Sequence, residues 1–108
     1  MSVTSDLIRG NTDMIILARL VKSDSYGYRI NKALKETTGG EFEFKEATLY
    51  TAFKRLEEAG FISSYWGNES TGARRRYYTV TRLGREHFER LKAEWLGSKN
   101  IIDKLIEE

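Results

Sequence analysis

The hydrophobic pattern of the sequence changes from helical to strand-like at Gly60, and this change constrains the fold more than any other feature. Before it, Leu49, Phe53 and Leu56 recur at positions i, i+4 and i+7. This spacing predicts one buried stripe along a helix over residues 45–59. Gly60 itself stands where such a helix needs a residue with left-handed backbone angles to end. The sequence therefore predicts a helix that packs by one face and stops sharply.

Beyond that glycine, two segments rich in β-forming residues flank a polar loop. Residues 61–66 and 75–81 carry aromatic and β-branched side chains, and residues 67–73 between them are polar or small. Two such runs separated by a loop are typical of a β-hairpin. The buried helix should therefore lead directly into a two-stranded hairpin.

Three further segments show the 3.6-residue periodicity of helices. They cover residues 4–21, residues 26–37, and residues 82–95 or beyond. We expect a break in the first segment near Gly10 and a kink or interruption of the last near Gly97, because glycine is a poor helix former.

Short polar side chains precede two of these helices and are expected to cap them. Residues 23–25, which are Ser, Asp and Ser, precede the helix over residues 26–37, and Thr81 precedes the last helix. A side-chain oxygen at this position can accept hydrogen bonds from the unpaired N–H groups of the first turn.

The order of the predicted elements, helix, helix, helix, hairpin and helix, is that of a winged helix-turn-helix. The expected fold class is therefore mostly α with a small β-hairpin (α+β). We assign residues 1–81 to a winged helix-turn-helix DNA-binding domain that includes the N-terminal helix, and residues 82–108 to a C-terminal dimerisation helix. A chain of 108 residues is long enough for one compact unit and too short for two.

The composition is that of an ordinary globular protein. Hydrophobic residues make up 40% and charged residues 31% of the sequence, and cysteine is absent, so disulfides and thiolate chemistry play no part. The N-terminal segment lacks the pattern of a signal peptide, and no apolar run approaches the roughly 20 residues that span a bilayer. A cytoplasmic protein without a membrane partner is expected.

Catalytic chemistry has little support in the sequence. His87 is the single histidine and is expected on a solvated face of the last helix. There is no glycine-rich phosphate loop, and the adjacent Glu57 and Glu58 point about 100° apart on a helix. We therefore expect no enzyme, no cofactor and no metal site.

The helix that carries the buried stripe also has a polar face that suits DNA recognition. Opposite the stripe lie Ala47, Thr51 and Lys54, and Thr48 and Tyr50 flank them. Small residues permit close approach to bases, threonine can contact base edges or phosphates, and lysine or tyrosine can hold a phosphate. A solvated face of an amphipathic helix is the alternative interpretation, and it would suffice for this helix alone.

The hairpin loop strengthens the DNA interpretation because it carries adjacent cations. Arg74 and Arg75 follow Ser70 and Gly72 on a loop expected to protrude, where arginines can lie along the phosphate backbone or enter a minor groove. The alternative is a run of charges that serves only solubility. That alternative is weaker here, because it does not explain why a basic hairpin follows directly after a helix whose exposed face suits DNA. The predicted DNA-binding residues are Tyr28, Lys32, Ala47, Thr48, Tyr50, Thr51, Lys54, Ser70, Gly72, Arg74 and Arg75.

Several stretches of the sequence resemble the PadR family of transcriptional regulators. They are residues 26–28, 46–57, 60–66, 72–78 and 81–84, and the resemblance covers nearly the whole chain. Within the family, the chain is similar to a compact subfamily that includes a multidrug-responsive repressor of lactic acid bacteria. The resemblance implies a homodimer on a pseudo-palindromic operator in double-stranded DNA, which represses its own gene and a neighbouring operon, such as one for a multidrug exporter.

The last helix carries more apolar surface than the core of one chain needs. A long apolar seam on a terminal helix usually pairs with another subunit, and an operator with two-fold symmetry requires a symmetric dimer. The alternative is packing within one chain against Leu7, Ile8 and Met14. The predicted dimer-interface residues are Phe88, Leu91, Trp95, Ile102 and Leu105.

Trp95 is expected to belong to a ligand site. The resemblance implies that this tryptophan stacks flat aromatic ligands in a pore between subunits, that Leu7 and Met14 line the pocket, and that ligand binding relieves repression. Lys99 stands one helical turn further on, where the related repressor has an acidic residue. Because a lysine disfavours cations, a neutral or anionic planar aromatic ligand is expected rather than a cationic drug.

A winged helix used only for protein–protein contact, without DNA binding, is the alternative function. Such domains tend to lose the basic residues of the hairpin, which is called the wing, and of the recognition helix before it. In this sequence Lys54 of the helix over residues 45–59 and Arg74 and Arg75 of the hairpin are present. Salt distinguishes the two functions, because protein cations that replace counterions on phosphates make the affinity for DNA steeply salt-dependent.

Overall fold

The computed structural model describes residues 4–67 and 74–107. Helices and one antiparallel hairpin follow the predicted order within these ranges, which confirms the expected fold, mostly α with a small β-hairpin. The elements are α1 (Thr4–Arg9), α2 (Thr12–Leu20), α3 (Gly27–Thr37), α4 (Glu46–Glu58), β1 (Ile62–Trp66), β2 (Arg76–Val80) and α5 (Arg82–Glu107).

A tight turn separates α1 from α2, at the break predicted near Gly10. The Asn11 backbone N–H donates to the Ile8 carbonyl oxygen at 2.9 Å, and the Asn11 side-chain amide donates to the Leu7 carbonyl oxygen at 2.9 Å. The Thr12 hydroxyl donates to the Arg9 carbonyl oxygen at 2.7 Å. These bonds satisfy carbonyl groups that the end of α1 leaves without a helical partner.

The side-chain cap expected for α3 does not form among the described residues, so that prediction was wrong. The helix begins at Gly27 after the extended residue Tyr26, without a side-chain cap hydrogen bond. Ser25 instead pairs with Tyr78 of β2, since the Ser25 N–H donates at 3.2 Å and the Ser25 carbonyl oxygen accepts at 2.8 Å. Backbone pairing thus adds the turn before α3 to the edge of the hairpin.

The predicted buried stripe of α4 is confirmed. Leu49, Phe53 and Leu56 are each 1% exposed, and the Phe53 ring stacks on Tyr78 with the ring centroids 4.1 Å apart. The other elements and the loop before α4 surround this stripe. Their core residues are Ile16, Leu17, Leu20, Ile30, Leu34, Phe44, Ile62 and Phe88, and Ala52 of α4 lies in the same core.

The end of α4 directs the chain into the hairpin. Gly60 has a φ of +82°, and the Phe61 N–H donates to the Leu56 carbonyl oxygen at 3.0 Å, which is the left-handed helix ending that the sequence predicts. In the hairpin, Ile62 lies opposite Val80 and the register runs without a bulge to the other end of both strands. The hairpin therefore starts at the C-terminal end of α4 and extends away from it.

Helix α5 is capped as predicted and continues past Gly97 without a break. The Thr81 hydroxyl oxygen accepts a hydrogen bond from the Gly84 N–H at 3.0 Å. A Cβ at Gly84 would lie 2.0 Å from the Phe61 carbonyl oxygen, so only glycine lets the helix lie this close to the chain before β1. The helix continues through Gly97 to Glu107, and the interruption expected at Gly97 does not occur.

His87 is half-buried rather than fully solvated as expected. Its ring stacks on Phe61 with the ring centroids 4.0 Å apart and an angle of 7° between the ring planes. The Arg90 guanidinium lies 2.9 Å from the His87 Nδ1. The histidine thus packs where α5 meets the start of the hairpin.

No helix in the described ranges combines the length and the apolar character needed to cross a membrane.

Candidate nucleic-acid interface

The solvent side of α4 carries the helix residues predicted to meet DNA. Ala47, Thr51 and Lys54 are exposed, Thr48 is half-buried, and the Tyr50 side chain is 47% exposed. The buried stripe occupies the opposite side of the helix. On the exposed face, small and hydroxyl-bearing side chains lie in the first turns, and a lysine follows them. This arrangement provides hydrogen-bonding groups with room for close approach by a second molecule.

Two predicted residues of α3 lie beside the start of α4. Tyr28 and Lys32 line a cleft of about 370 Å³ between the two helices, and Glu46 and Tyr50 of α4 line its other side. Tyr28 is 71% exposed and Lys32 is also exposed. The structure therefore brings the predicted residues of α3 and α4 together on one surface.

Asn31 fixes the segment that leads into α4, and the sequence pattern does not single it out. Its side-chain amide donates to the Phe44 carbonyl oxygen at 2.8 Å, and its side-chain oxygen accepts from the Phe44 N–H at 2.9 Å. Phe44 is itself buried. The sequence feature that could have pointed to this contact is an asparagine inside a helix, because its side chain often bonds to a nearby backbone instead of supporting the helix.

A second connection that the sequence does not reveal joins α4 to α2. The Arg55 guanidinium donates hydrogen bonds to the Asp13 carboxylate. These bonds raise the pKa of Arg55 above its ordinary value, because the carboxylate stabilises the charged form. Arg55 also lines a shallow depression with Ala47, Thr48 and Thr51, so this ion pair borders the exposed face of α4.

The consecutive arginines of the hairpin lie against aromatic rings. The guanidinium of Arg74 lies 5.0 Å from the centroid of Trp66, and that of Arg75 lies 4.9 Å from the centroid of Tyr26. Arg76 lies 5.8 Å from the Trp66 centroid and forms an ion pair with Glu57 at 3.5 Å. The side chains of Arg74 and Arg75 are exposed, so two positive charges lie at the surface of the hairpin.

Two predicted residues of the wing, Ser70 and Gly72, lie outside the described residues.

An aromatic cluster that the sequence pattern does not predict covers one face of the hairpin. Tyr65 and Tyr77 are stacked with centroids 5.6 Å apart, and Tyr26, from the turn before α3, meets Tyr77 edge-on at 5.1 Å. The Tyr65 hydroxyl donates to Asp24 Oδ2 at 2.6 Å. This bond raises the pKa of Tyr65, because ionisation would remove the donated proton and place two negative charges together.

The apolar stripe of α5 divides into a buried part and an exposed part. Phe88 is 9% exposed in the core and Leu91 packs against that core, so these two predicted dimer-interface residues pack within their own chain, as the alternative interpretation expected. Trp95 is 36% exposed, whereas Ile102 and Leu105 are more than half exposed, at 56% and 66%. The exposed part therefore begins near Trp95 and continues toward the end of the helix.

Trp95 lies at a cleft of about 400 Å³ between α5 and the start of α2. Met14 and Leu91 line the same cleft, together with the polar side chains of Arg55 and Glu94. Of the predicted ligand residues, the structure brings together Trp95 and Met14 but not the other two. Leu7 and Lys99 are not among the lining residues of one chain; Leu7 is 57% exposed and Lys99 forms an ion pair with Asp103 at 3.3 Å.

Comparison with known proteins finds relatives that match most of the chain. The model of the transcriptional regulator PadR-like family matches residues 16–90. Uncharacterized protein X of Lysinibacillus sphaericus is 44% identical over 105 residues, which cover 97% of this chain and 96% of that protein. The structure of a transcriptional regulator from Clostridium thermocellum is 44% identical, with a TM-score of 0.86, and the match covers 95% of this chain and 97% of that chain.

A relative with a known DNA complex is also similar. The negative transcriptional regulator PadR of Bacillus subtilis is 30% identical over 93 residues, which cover 86% of this chain and 49% of that protein. Its crystal structure in complex with operator DNA matches with a TM-score of 0.64 and 28% identity, over 78% of this chain and 45% of that chain. Fold, sequence and family match agree, and the chain belongs to the PadR-like family of transcriptional regulators.

Proposed function

We propose that the chain is a DNA-binding repressor that acts as a homodimer, with residues 1–81 as the DNA-binding domain and residues 82–108 as the dimerisation helix. The observation that carries this proposal is that α4 exposes a face of small, hydroxyl-bearing and basic side chains at Ala47, Thr51 and Lys54. The negative regulator of Bacillus subtilis, solved with its operator, supports the same role for this fold.

The two parts of the interface contribute differently to DNA binding in this proposal. Helix α4 enters the major groove, where Ala47, Thr48 and Thr51 approach base edges and Lys54 and Tyr50 hold phosphates. The wing adds phosphate or minor-groove contacts. The other residues proposed to contact DNA are Tyr28, Lys32, Ser70, Gly72, Arg74 and Arg75.

Dimerisation in this proposal uses the exposed part of α5. Trp95, Ile102 and Leu105 remain accessible in one chain, and a second copy would cover them with its own apolar stripe. A two-fold symmetric dimer presents two copies of α4, which fit half-sites about 10 base pairs apart on one side of a duplex. The operator is therefore proposed to be pseudo-palindromic.

The cleft beside Trp95 and Met14 is the proposed site for an inducer. A planar aromatic molecule, neutral or anionic, would stack on the indole ring, and its binding would relieve repression. Leu7 and Lys99 would contribute only if the second copy brings them to this cleft. This site and the resemblance to the compact, multidrug-responsive subfamily together support the proposal that the protein represses an exporter operon and its own gene.

Charge reversal on the wing tests the proposal. A duplex is first selected from random DNA by the wild-type protein, and its affinity is measured by fluorescence anisotropy as the salt concentration is raised. The double variant Arg74→Glu, Arg75→Glu should lose about tenfold or more in affinity and show a shallower salt dependence, because phosphate contacts are lost. Its melting temperature should stay near that of the wild type, because both side chains are exposed.

The matched control carries the same change of charge at the start of α5. Arg82 and Arg85 are exposed there, at the end of the hairpin that joins the core, so the variant Arg82→Glu, Arg85→Glu should bind nearly as well as the wild type. Equal affinity of the wing variant and the wild type would remove the wing from the mechanism. A wild-type protein that selects no duplex would favour the protein–protein module instead.

A further inference from the structure

Tyr26 connects helix α3 to the hairpin. Its backbone is extended immediately before α3, with φ −136° and ψ 166°, and the preceding Ser25 exchanges two backbone hydrogen bonds with Tyr78 of β2. The Tyr26 ring meets the Tyr77 ring edge-on at 5.1 Å. The ring is therefore held from both sides, by backbone pairing on its own segment and by a neighbouring ring of the hairpin.

Two guanidinium groups lie over the Tyr26 ring. Arg29 of α3 lies 5.0 Å from the ring centroid and Arg75 of the hairpin lies 4.9 Å from it. Arg29 also donates hydrogen bonds to the Ser25 hydroxyl at 3.1 Å and to the Asp24 carbonyl oxygen at 2.7 Å. Much of the donor capacity of Arg29 thus serves the turn itself, and this arginine holds the ring in place.

The other strand of the hairpin, β1, is attached to the same turn. Tyr65 of β1 stacks on Tyr77 of β2 and donates its hydroxyl proton to Asp24 at 2.6 Å. Both strands and the first residues of α3 therefore share one set of ring, ion and hydrogen-bond contacts. A displacement of the hairpin relative to α3 would break several of these contacts together.

We propose that Tyr26 is a positioning residue for DNA binding, and that its ring holds the Arg75 guanidinium in the orientation in which it contacts a phosphate. The inference rests on the proposed function, because it requires that the wing meets DNA. An arginine can lie flat on an aromatic ring and still donate N–H groups from its edge. Because a held side chain has less rotamer freedom to lose on binding, the ring should raise the affinity for DNA.

Fluorination of the ring tests this role without changing its shape. Tyr26→Phe keeps the attraction between the ring and the cation, whereas 3,4,5-trifluorophenylalanine at position 26 weakens it and preserves the fold. On the duplex selected by the wild-type protein, Tyr26→Phe should bind nearly as the wild type does. The fluorinated protein should bind about two- to fivefold more weakly for each subunit.

The salt dependence of binding separates positioning from a general structural effect. Arg75→Gln should lower the slope of log affinity against log salt by about 0.9 for each subunit, because one phosphate contact is lost. Fluorination at position 26 should move the slope in the same direction, and it should have no further effect in the Arg75→Gln background. The matched control is the same fluorinated residue at Phe42, which packs on Phe44 in the segment between α3 and α4 rather than on the hairpin and should leave affinity and slope unchanged.

The possible results fall into three groups. Equal binding by Tyr26→Phe and its fluorinated counterpart would overturn the inference, as would a fluorination effect that persists in full without Arg75. A wild-type protein that binds duplex while fluorination has no effect would leave the proposed function intact and remove only the role of Tyr26. A wild-type protein that selects no duplex would remove both.

Discussion

At the scale of single residues, close contacts decide how the helices meet the hairpin. Gly84 lies on the apolar stripe of α5 at the place where the helix passes the Phe61 carbonyl oxygen. The periodicity of the sequence places this glycine on the buried side of the helix. It does not reveal the contact, because a residue without a side chain gives no hydrophobic signal and its importance depends on the atom it leaves room for.

Alanine at this position should destabilise the fold. A Cβ at Gly84 would lie 2.0 Å from the Phe61 carbonyl oxygen and 2.8 Å from Val80 Cγ2, so backbone or helix must move. The free energy of unfolding of Gly84→Ala, measured by urea denaturation, should fall by about 1–3 kcal/mol or more.

Gly97 of the same helix provides the control, since a Cβ there would meet nothing within 4 Å. Gly97→Ala should raise the free energy of unfolding by about 0.5–1 kcal/mol, because alanine favours the helix. Equal stability of Gly84→Ala and the wild type would show that α5 does not approach the Phe61 carbonyl oxygen so closely.

At the scale of elements, the sequence predicts which elements exist better than how they are oriented. The buried stripe of α4, its glycine ending and the hairpin follow from local patterns, because period and turn chemistry act over a few residues. The position of α4 also depends on Asn31 bonding to Phe44 and on Arg55 pairing with Asp13. Such side-chain contacts between distant segments have no period. For the same reason, pairing of Ser25 with β2 replaced the predicted cap of α3.

Substitution of Asn31 should displace α4 as well as weaken the fold. Asn31→Asp keeps the oxygen that accepts from the Phe44 N–H but leaves the Phe44 carbonyl oxygen without its donor, and Asn31→Leu removes both bonds. The free energy of unfolding should fall by about 1–3 kcal/mol, more for leucine than for aspartate. DNA affinity, measured by anisotropy where both variants remain folded, should fall in the same order.

Asn100→Asp on the exposed surface of α5 is the control for the added charge. It should change neither the free energy of unfolding nor the affinity appreciably. If Asn31→Leu were to match the wild type in both measurements, Asn31 would have no part in placing the recognition helix.

At the scale of the whole molecule, α5 gives the chain its elongated shape of 58 × 32 × 21 Å. Its first half completes the core through Phe88, and its second half carries Ile102 and Leu105 into solvent. The sequence predicts the apolar seam but not the division between its halves, because both have the same period. The cost of Gly97 in a helix, about 1 kcal/mol, was too small to interrupt a segment whose neighbours favour helix.

The central claim is that two chains together present paired α4 helices and arginine-bearing wings to one side of a duplex. Sedimentation equilibrium with a labelled duplex selected by the wild-type protein measures the composition of the complex directly. The account predicts a dimer in free solution and two chains on each duplex, with much weaker binding to a duplex that holds only one half-site. A monomer that binds both duplexes equally, one chain to each, would contradict it.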